Sequence, residues 1–432
     1  MGSEKTLRVF DPAQPARELS FRRDSALFCE RVSLHSIAER AGTPAYVYSR
    51  AVFTAAYRRF QRAFRGLPHG ICYAVKANSN LAVLRAFARL GSSFDIVSGG
   101  ELYRLQHIGV PGKRIVFSGV GKTREEIREA LRGEILLFNV ESSEELELLA
   151  SEAGRVGRPA PAAIRVNPDI ETGGHPHLAT GHHRHKFGVD WDEARRLYLF
   201  HRDSLWIEWK GISAHIGSQI TSLAPFRRAA GRLAGYFREL SRAGIRLRYL
   251  DFGGGIGIKY TDEKPPTPEE YARAVRGAFA PLGCHVLFEP GRALIGPAGV
   301  LLTRVLYTKS SCGKTFIVVD AAMNDLIRPA LYGARHAITP AARPARDAKI
   351  SRVDIVGPIC ESGDAFLRDW PMPEVKSGDL LVIWDAGAYG FVESSNYNSR
   401  LRAPEVLVTG NRFRVVRRRE SRVDLIRGEL IS

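Results

Sequence analysis

The sequence predicts a (β/α)8 TIM barrel joined to an all-β C-terminal domain, and three observations lead to this fold class. Eight short apolar segments rich in β-branched residues recur through the first 290 residues, with helix-like stretches between them. The first four segments begin at residues 72, 93, 114 and 135, a constant interval of 21 residues. After about residue 305 the helical spacing fades and strand-like segments remain. Strands that alternate with helices form parallel sheets, and eight such units favour a closed barrel over a doubly wound sheet.

The predicted barrel strands follow one another along the chain, and we expect the barrel domain to span residues 39–304. Helix-like stretches such as "NLAVLRAFARLG" (80–91) and "TREEIREALRG" (123–133) place apolar residues at helical spacing and end at glycine, so they predict crossover helices. The eight strand segments are "CYAVKA" (72–77), "SFDIVS" (93–98), "RIVFSG" (114–119), "ILLFNV" (135–140), "AAIRVN" (162–167), "GISAHIG" (211–217), "LRYLDFGGG" (247–255) and "HVLFEPG" (285–291).

The C-terminal part, residues 305–432, predicts a β-sandwich or β-barrel domain. The N-terminal stretch "ELSFRRDSALFCERVSL" (18–34) is also strand-like. We therefore expect an N-terminal segment, residues 1–38, to cross over and pack with the β-domain through a strand. The strand-like segments of the C-terminal part are "TFIVVDA" (315–321), "KISRVDIVGP" (349–358), "DLLVIWDAG" (379–387), "PEVLVTG" (404–410) and "RFRVVRR" (412–418).

Composition and charge exclude several classes of function. The chain of 432 residues has a net charge of +17, but its arginines are scattered instead of clustered on one helix face, so we expect no nucleic-acid binding. A positive field of this kind steers small anionic substrates. No apolar run reaches the ~18 residues of a membrane span, and the N-terminus lacks the apolar core of a secretory signal. Five widely spaced cysteines match neither a disulfide framework nor a zinc site, so we expect a cytoplasmic protein.

Polar, charged and glycine residues collect where the predicted barrel strands end. In a barrel of this kind the active site lies at the carboxyl ends of the strands, so we expect Lys76 to point into the barrel mouth. A lone lysine there is more often a structural ion-pair partner, and a lone histidine or triple glycine is often structural as well. The strand ends are Lys76, Ser98-Gly99-Gly100, Ser118-Gly119, Asn139, Asn167, His215, Gly253-Gly254-Gly255 and Glu289.

The combination of these residue types indicates a specific chemistry. A lysine can bond covalently to the carbonyl group of a cofactor. The backbone N–H groups of a glycine loop such as "DFGGGIG" (251–257) can hold a phosphate. A carboxylate such as Glu289 can pair with a pyridinium nitrogen, and a histidine can stack on the ring. These are the parts of a pyridoxal 5'-phosphate site.

The chain resembles the fold-type III, alanine-racemase-like pyridoxal 5'-phosphate enzymes, and within them the diaminopimelate decarboxylase family. The later motifs separate it from relatives that act on ornithine or arginine. One small departure is "DAAMNDL", where the family has glycine in place of Ala322. The matching stretches run from about residue 44 to 425 and include "YAVKAN", "FDIVSGGEL", "HIGSQ", "DFGGGIG", "EPGR", "DAAMNDLIRPALYGARH", "VGPICESGD" and "GAYGFVESSNYNSRLRAPEVLV".

The resemblance implies roles for individual residues. Lys76 resembles the lysine that binds the cofactor, His215 the histidine that stacks on it, and Glu289 the partner of its ring nitrogen. Contact with the cofactor phosphate is implied for Ser218, Gly253, Gly254, Gly255, Pro290, Gly291, Arg292 and Tyr389. Binding of the distal end of the substrate is implied for Arg292, Arg328, Tyr332, Glu361 and Tyr389.

Cys360 resembles the proton donor that the other subunit of a homodimer supplies to a shared active site. An isolated cysteine is more often a core residue, but "ESGD" after Cys360 and the family match reverse that interpretation. The other four, Cys29, Cys72, Cys284 and Cys312, keep a structural interpretation.

The substrate prediction is chemical. Meso-diaminopimelate carries an amino-acid group at each end, so the enzyme must retain the L end while it decarboxylates the D end. Arg292 and Arg328 offer planar donor forks for the retained carboxylate, and Glu361 offers an acid for the ammonium group. The expected products are L-lysine and CO2, in the last step of lysine biosynthesis. A decarboxylase for another amino acid and an inactive cofactor-binding relative stay open as alternatives.

The histidine-rich stretch "GGHPHLATGHHRHKFG" (173–188) has two interpretations. A metal site is one, but the spacing matches no common zinc pattern and too few carboxylates or cysteines accompany it. A solvated or substrate-side loop is the interpretation that we favour, so we expect no metal.

Overall fold

The computed structural model describes residues 22–23, 26–172, 186–345 and 347–431. The chain forms two compact units. One is Phe53–Gly296, and the other combines the described residues up to Val52 with those from Pro297 onward. Within these residues no helix has both the length and the hydrophobicity that a membrane span requires.

The N-terminal described residues contribute four strands and a helix to the second unit. β1, β2 and β3 form an antiparallel sheet of their own, whereas β4 pairs with strands near the C-terminus. The strand that joins the larger β-sheet is therefore β4, which lies beyond the predicted segment 1–38. These elements are β1 (Arg22–Arg23), β2 (Ala26–Cys29), β3 (Val32–Ser33), α1 (Leu34–Ala41) and β4 (Ala45–Ser49).

The first unit is a closed barrel of eight parallel strands among the described residues, which confirms the predicted fold class. Each predicted barrel strand overlaps an observed one, and all the observed strands except β8 end earlier than predicted. Around the barrel their order is β10, β11, β12, β5, β6, β7, β8, β9. The strands are β5 (His69–Ala74), β6 (Ser93–Ile96), β7 (Ile115–Phe117), β8 (Leu137–Val140), β9 (Ala160–Arg165), β10 (Ile207–Ser213), β11 (Tyr249–Asp251) and β12 (His285–Phe288).

Side-chain caps begin most of the crossover helices. Thr123 and Glu126 form a reciprocal capping box at the start of α5, and Thr267 and Glu270 do the same for α9. Pro268 opens α9, where its missing N–H costs nothing. The helices are α2 (Arg50–Ala63), α3 (Leu81–Arg89), α4 (Gly99–His107), α5 (Arg124–Arg132), α6 (Ser143–Val156), α7 (Trp191–Phe200), α8 (Ala224–Arg242), α9 (Pro268–Phe279) and α10 (Arg292–Ile295).

Small and medium apolar side chains fill the barrel interior. Cys72, Val116, Leu137, Ala163 and Leu287 come from five different strands and form one buried cluster. Each large aliphatic side chain contributes about 1.5–3 kcal/mol when it is fully buried. This cluster closes the interior of the barrel and leaves the carboxyl ends of the strands for polar residues.

The C-terminal residues form a nine-stranded sheet in the described part of the chain, together with β4. Its main path runs β17, β16, β14, β13, β4, β19, β20, while β18 pairs with both β13 and β15. The elements are β13 (Gly299–Ser311), β14 (Lys314–Val319), α11 (Arg328–Tyr332), β15 (Ile338–Pro340), β16 (Ile350–Val356), β17 (Ala365–Pro373), β18 (Leu380–Ile383), β19 (Glu405–Thr409), β20 (Arg412–Arg417) and α12 (Arg422–Leu425).

Candidate active site

Five neighbouring barrel strands, β10, β11, β12, β5 and β6, carry polar residues at or near their carboxyl ends. In this order around the barrel the residues are His215, Asp251, Glu289, Lys76 and Asp95. Three of them were predicted from the sequence as parts of one site, and barrel closure brings these three to one sector of the rim.

Lys76 lies in a short 3-10 turn, Val75–Ala77, that directly follows β5. Its Nζ donates to a carboxylate oxygen of Asp95 on the neighbouring strand β6. The Asp95 side chain is fully buried, whereas about a third of the Lys76 side chain is exposed. The register pairs Ala74 with Asp95, so the Lys76 side chain reaches across to β6, the strand that carries Asp95. The amine is therefore anchored but accessible.

Glu289 and Asp251 form a buried pair of carboxyl groups that hydrogen-bond to each other. Asn139 Nδ2 donates to Asp251 Oδ2 at 2.7 Å and to Ser118 Oγ at 3.1 Å. Burial raises the pKa of Glu289 well above its usual range, and the negative charges of Asp251 and then Asp95 raise it further. Glu289 is therefore the protonated member of the pair, and its proton is held toward Asp251.

His215 is a neutral imidazole with a fixed orientation. The backbone N–H of Gly254 donates to His215 Nδ1 at 3.0 Å, so the ring proton is on Nε2. Desolvation lowers the pKa of His215 well below its usual range, and the positive charges of Arg165 and Lys76 lower it further. The ring is uncharged at neutral pH and is suited to lie against a flat apolar surface.

The glycine loop after β11 packs directly on the two neighbouring loops. A Cβ atom at Gly254 would lie 2.3 Å from the carbonyl oxygen of Glu289, and one at Gly255 would lie 2.5 Å from that of Gly217. Gly253 and Gly255 also have positive φ angles of 66° and 105°. Among the described residues, the N–H of Gly255 has no hydrogen-bond acceptor. The loop thus offers a backbone donor to a ligand.

Arg292 opens α10 and is buried beside two hydroxyl groups. Its Nη2 donates to Ser218 Oγ at 3.1 Å, and its Nη1 donates to the phenol oxygen of Tyr260. The preceding Gly291 is required because a Cβ atom there would lie 2.8 Å from Cβ of Ala77, in the turn that carries Lys76. The "EPGR" stretch, including Pro290, therefore packs against the lysine turn.

The other unit holds the remaining predicted site residues. Arg328 is almost fully buried at the start of α11, and its guanidinium lies over the ring of Tyr332, 5.7 Å from the centroid. Glu361 accepts a hydrogen bond from the hydroxyl of Tyr397. Tyr389 follows β18 and has a φ angle of 54°, which is uncommon for a residue with a side chain.

Cys360 is exposed, and its N–H donates to Asn398 Oδ1 at 3.1 Å. The exposed thiol excludes the interpretation of Cys360 as a core residue. Cys29, Cys72 and Cys284 are buried, as the structural interpretation expects, whereas Cys312 is exposed. The histidines of 175–185 lie outside the described residues, so the prediction of no metal there stays a prediction.

Sequence reasoning missed several residues of the site. Asp95 and Asp251 are charged residues inside otherwise apolar strands, and that interruption is the signal that could have found them. Glu101, in the first turn of α4, accepts from the N–H of Val97 at 2.8 Å. Burial raises its pKa to about 7, and the nearby charge of Lys76 opposes this. The phenol of Tyr260 carried no signal in the sequence.

The sequence is similar to a family of pyridoxal-dependent decarboxylases and to named enzymes within it. Residues 50–296 match the family model described as "Pyridoxal-dependent decarboxylase, pyridoxal binding domain". Diaminopimelate decarboxylase of Pseudomonas aeruginosa is 51% identical over 407 residues, which cover 94% of this chain and 97% of the relative. The enzyme of the same name from Vibrio cholerae is 46% identical over 402 residues, with coverage of 93% and 96%.

Solved structures agree in fold. Diaminopimelate decarboxylase from Helicobacter pylori, in complex with L-lysine, has a TM-score of 0.88 and 41% identity, and covers 91% of this chain and 98% of its own. The enzyme from M. jannaschii, also in complex with L-lysine, has a TM-score of 0.91 and 35% identity, with coverage of 96% and 98%.

Proposed function

The chain belongs to the diaminopimelate decarboxylase family of pyridoxal-dependent decarboxylases, and from this premise we propose that it converts meso-2,6-diaminopimelate to L-lysine and CO2. It is a carboxy-lyase with pyridoxal 5'-phosphate as its cofactor. The reaction is the last step of lysine biosynthesis. One observation carries the proposal: a lysine, a buried carboxyl group and a glycine loop lie at the ends of adjacent strands β5, β12 and β11.

The residues of the barrel fit the cofactor. The amine of Lys76 would bond to its aldehyde, and the carboxyl group of Glu289, at the end of the adjacent strand β12, would partner its ring nitrogen. Within the described residues the N–H of Gly255 has no acceptor, which matches the need of a phosphate for backbone donors. We propose phosphate contacts for Ser218, Gly253, Gly254, Gly255, Pro290, Gly291, Arg292 and Tyr389.

In the mechanism that we propose, the chain positions groups and holds protons. When bound, pyridoxal 5'-phosphate supplies the electron sink for the carbon that loses CO2. Glu289 keeps its proton because burial and Asp251 oppose ionisation, and the neutral ring of His215 adds apolar contact without charge. The thiol of Cys360 would deliver a proton to the substrate carbon after CO2 leaves.

Recognition of the distal end of the substrate is the finer part of the proposal. Arg328 is a buried guanidinium, which is the group best suited to hold a carboxylate by two parallel bonds. Glu361 offers a carboxylate for the distal ammonium group. Arg292, Tyr332 and Tyr389 complete the proposed substrate contacts.

We also propose that the enzyme is a cytoplasmic homodimer in which the partner supplies Cys360. The support is the "VGPICESGD" motif and the exposure of the thiol. A mixed dimer with Lys76→Ala in one subunit and Cys360→Ala in the other tests this. Partial activity is expected, because one of the two composite sites is then intact. Activity no higher than that of the single mutants would contradict a shared site.

A direct assay tests the activity. The cofactor-loaded protein is incubated with meso-diaminopimelate, and CO2 and L-lysine are measured, with ornithine, arginine and L-lysine as control substrates. We expect L-lysine to form from diaminopimelate alone. Turnover of a control substrate alone would keep the fold and cofactor but refute the substrate. No turnover despite a persistent cofactor absorbance band would indicate an inactive cofactor-binding relative.

A further inference from the structure

A buried histidine holds the guanidinium of Arg328. Arg328 begins α11, and His336 follows eight residues later in the segment before β15. Arg328 Nε donates to His336 Nε2 at 3.3 Å, and the two residues are 2% and 1% exposed. His336 could not be selected from the sequence, because a lone histidine is more often a structural residue.

The contacts of His336 define its protonation state. Nδ1 lies 2.8 Å from the carbonyl oxygen of Trp384, which can only accept a hydrogen bond. Nδ1 therefore carries the proton, and Nε2 has the lone pair that accepts from Arg328. The imidazole is neutral, with one nitrogen committed to each neighbour.

The histidine sits on a rigid support. The N–H of Trp384 donates to the carbonyl oxygen of Ala337 at 2.9 Å, and the indole Nε1 donates to Thr339 Oγ1 at 3.0 Å. Directly beyond, Ile338 of β15 pairs with Ile383 of β18 in the antiparallel ladder. Because the backbone on both sides of the imidazole is fixed, the ring can hold Arg328 in one orientation.

A neutral partner suits a cation that must bind an anion. A carboxylate in place of His336 would orient the guanidinium equally well, but it would also cancel its charge and compete with an incoming carboxylate. An imidazole acceptor fixes the Cδ–Nε bond of Arg328 and leaves the net positive charge intact. The Arg328 side chain is then already ordered before the ligand binds, so binding does not lose its conformational entropy.

We propose that His336 is a positioning residue that orients Arg328 to recognise the distal carboxylate of the substrate. This inference rests on the proposed function and deepens it, because it assigns substrate selectivity to a residue that touches Arg328 and not the substrate. The carboxylate of the product L-lysine is the same group, whereas cadaverine has the same carbon chain and amines but no carboxylate.

Two substitutions test the roles of the two ring nitrogens of His336 independently. His336→Asn places an amide near Nδ1 and keeps a donor for the Trp384 carbonyl, but it removes the acceptor for Arg328. His336→Gln places an amide oxygen near Nε2 and keeps that acceptor. Inhibition constants for L-lysine and cadaverine are measured on the holoenzyme with meso-diaminopimelate as substrate, and binding is followed in parallel by the cofactor absorbance.

For His336→Asn we expect lysine inhibition to weaken about tenfold or more, as the loss of a hydrogen bond to a charged group predicts, and KM for diaminopimelate to rise with it. Cadaverine inhibition should change less than about twofold, and His336→Gln should stay within about threefold of wild type for both ligands. Equal weakening of lysine and cadaverine, or no change in either, would overturn the proposal.

A measurement on the unmodified holoenzyme keeps the test independent of whether His336→Asn folds. In protein labelled with 15N-histidine, the signal lost in His336→Gln assigns His336, and we expect the pattern of a neutral ring with its proton on Nδ1. A charged ring or a proton on Nε2 would refute the inference. If the wild-type enzyme does not turn over diaminopimelate at all, it is the proposed function that fails.

Discussion

The proton on Glu289 should make the stability of the cofactor-free protein depend on pH, and Glu289→Gln should remove that dependence. In the folded protein burial and the charges of Asp251 and Asp95 raise the pKa of Glu289 well above the ordinary value of 4.5. The substituted glutamine has nearly the same shape and donates an N–H to Asp251 in place of the shared proton. It has no proton to lose at any of these pH values.

The sign and size of the effect follow from proton linkage. Above about pH 4.5 the unfolded chain has released the Glu289 proton while the folded chain retains it, so the unfolded state binds one proton fewer. The Glu289 carboxyl makes its full contribution to the free energy of unfolding below that pH. This contribution is lost as the pH rises toward the raised pKa of the folded state. The slope is about 1.4 kcal/mol of unfolding free energy per pH unit in the range that begins above about pH 4.5 and ends at the raised pKa of the folded state.

Urea unfolding of cofactor-free wild type and Glu289→Gln across this pH range measures the difference in slope. We expect the variant to lose less stability than wild type as the pH rises, by about 1.4 kcal/mol per unit. Glu429→Gln makes the same chemical substitution at an exposed position near the C-terminus and should keep the wild-type slope. Parallel slopes for wild type and Glu289→Gln would show that Glu289 is ionised in the folded protein and refute its proposed role as the acid.

Two further substitutions test the loop packing and the arginine contact. Gly254→Ala places a Cβ atom 2.3 Å from the Glu289 carbonyl oxygen, so we expect about 1–3 kcal/mol of destabilisation and weaker cofactor binding, whereas Gly121→Ala, with no atom within 4 Å, should be neutral in both measurements. An unchanged cofactor affinity in Gly254→Ala would contradict the proposed phosphate site. Tyr260→Phe removes the hydroxyl that accepts from Arg292, so we expect cofactor or substrate binding about tenfold weaker in titrations, and wild-type affinity for both would refute this contact as functional.

Local sequence patterns predicted the barrel strands because each is a short apolar run followed by a turn and a capped helix. They did not predict β4, whose five residues are all buried. This strand pairs antiparallel with β13 and parallel with β19, more than 200 residues away, and no local pattern encodes such a partner. The N-terminal segment before it looked like the joining strand but forms a small sheet of its own.

In the candidate site, too, local sequence patterns predicted some residues and missed those that act through contacts between strands. Lys76, His215 and Glu289 could be selected because lysine, histidine and carboxylate at strand ends carry chemistry of their own. The residues that set their protonation, Asp95 and Asp251, act through side-chain contacts between neighbouring strands. A sequence shows which groups can react, whereas the strand pairing that brings their charged partners beside them is not part of a local pattern.

The charge of Lys76 also affects the protonation of Glu289 across the barrel mouth. The positive charge of Lys76 lowers the pKa of Glu289, against the larger effects of burial and of Asp251 and Asp95 that raise it. Removal of the positive charge of Lys76 would therefore strengthen the hold of Glu289 on its proton. The acid and the amine lie on adjacent strands β12 and β5, so this coupling needs no movement of the backbone. The barrel thus couples the charge of the Lys76 amine to the protonation of Glu289.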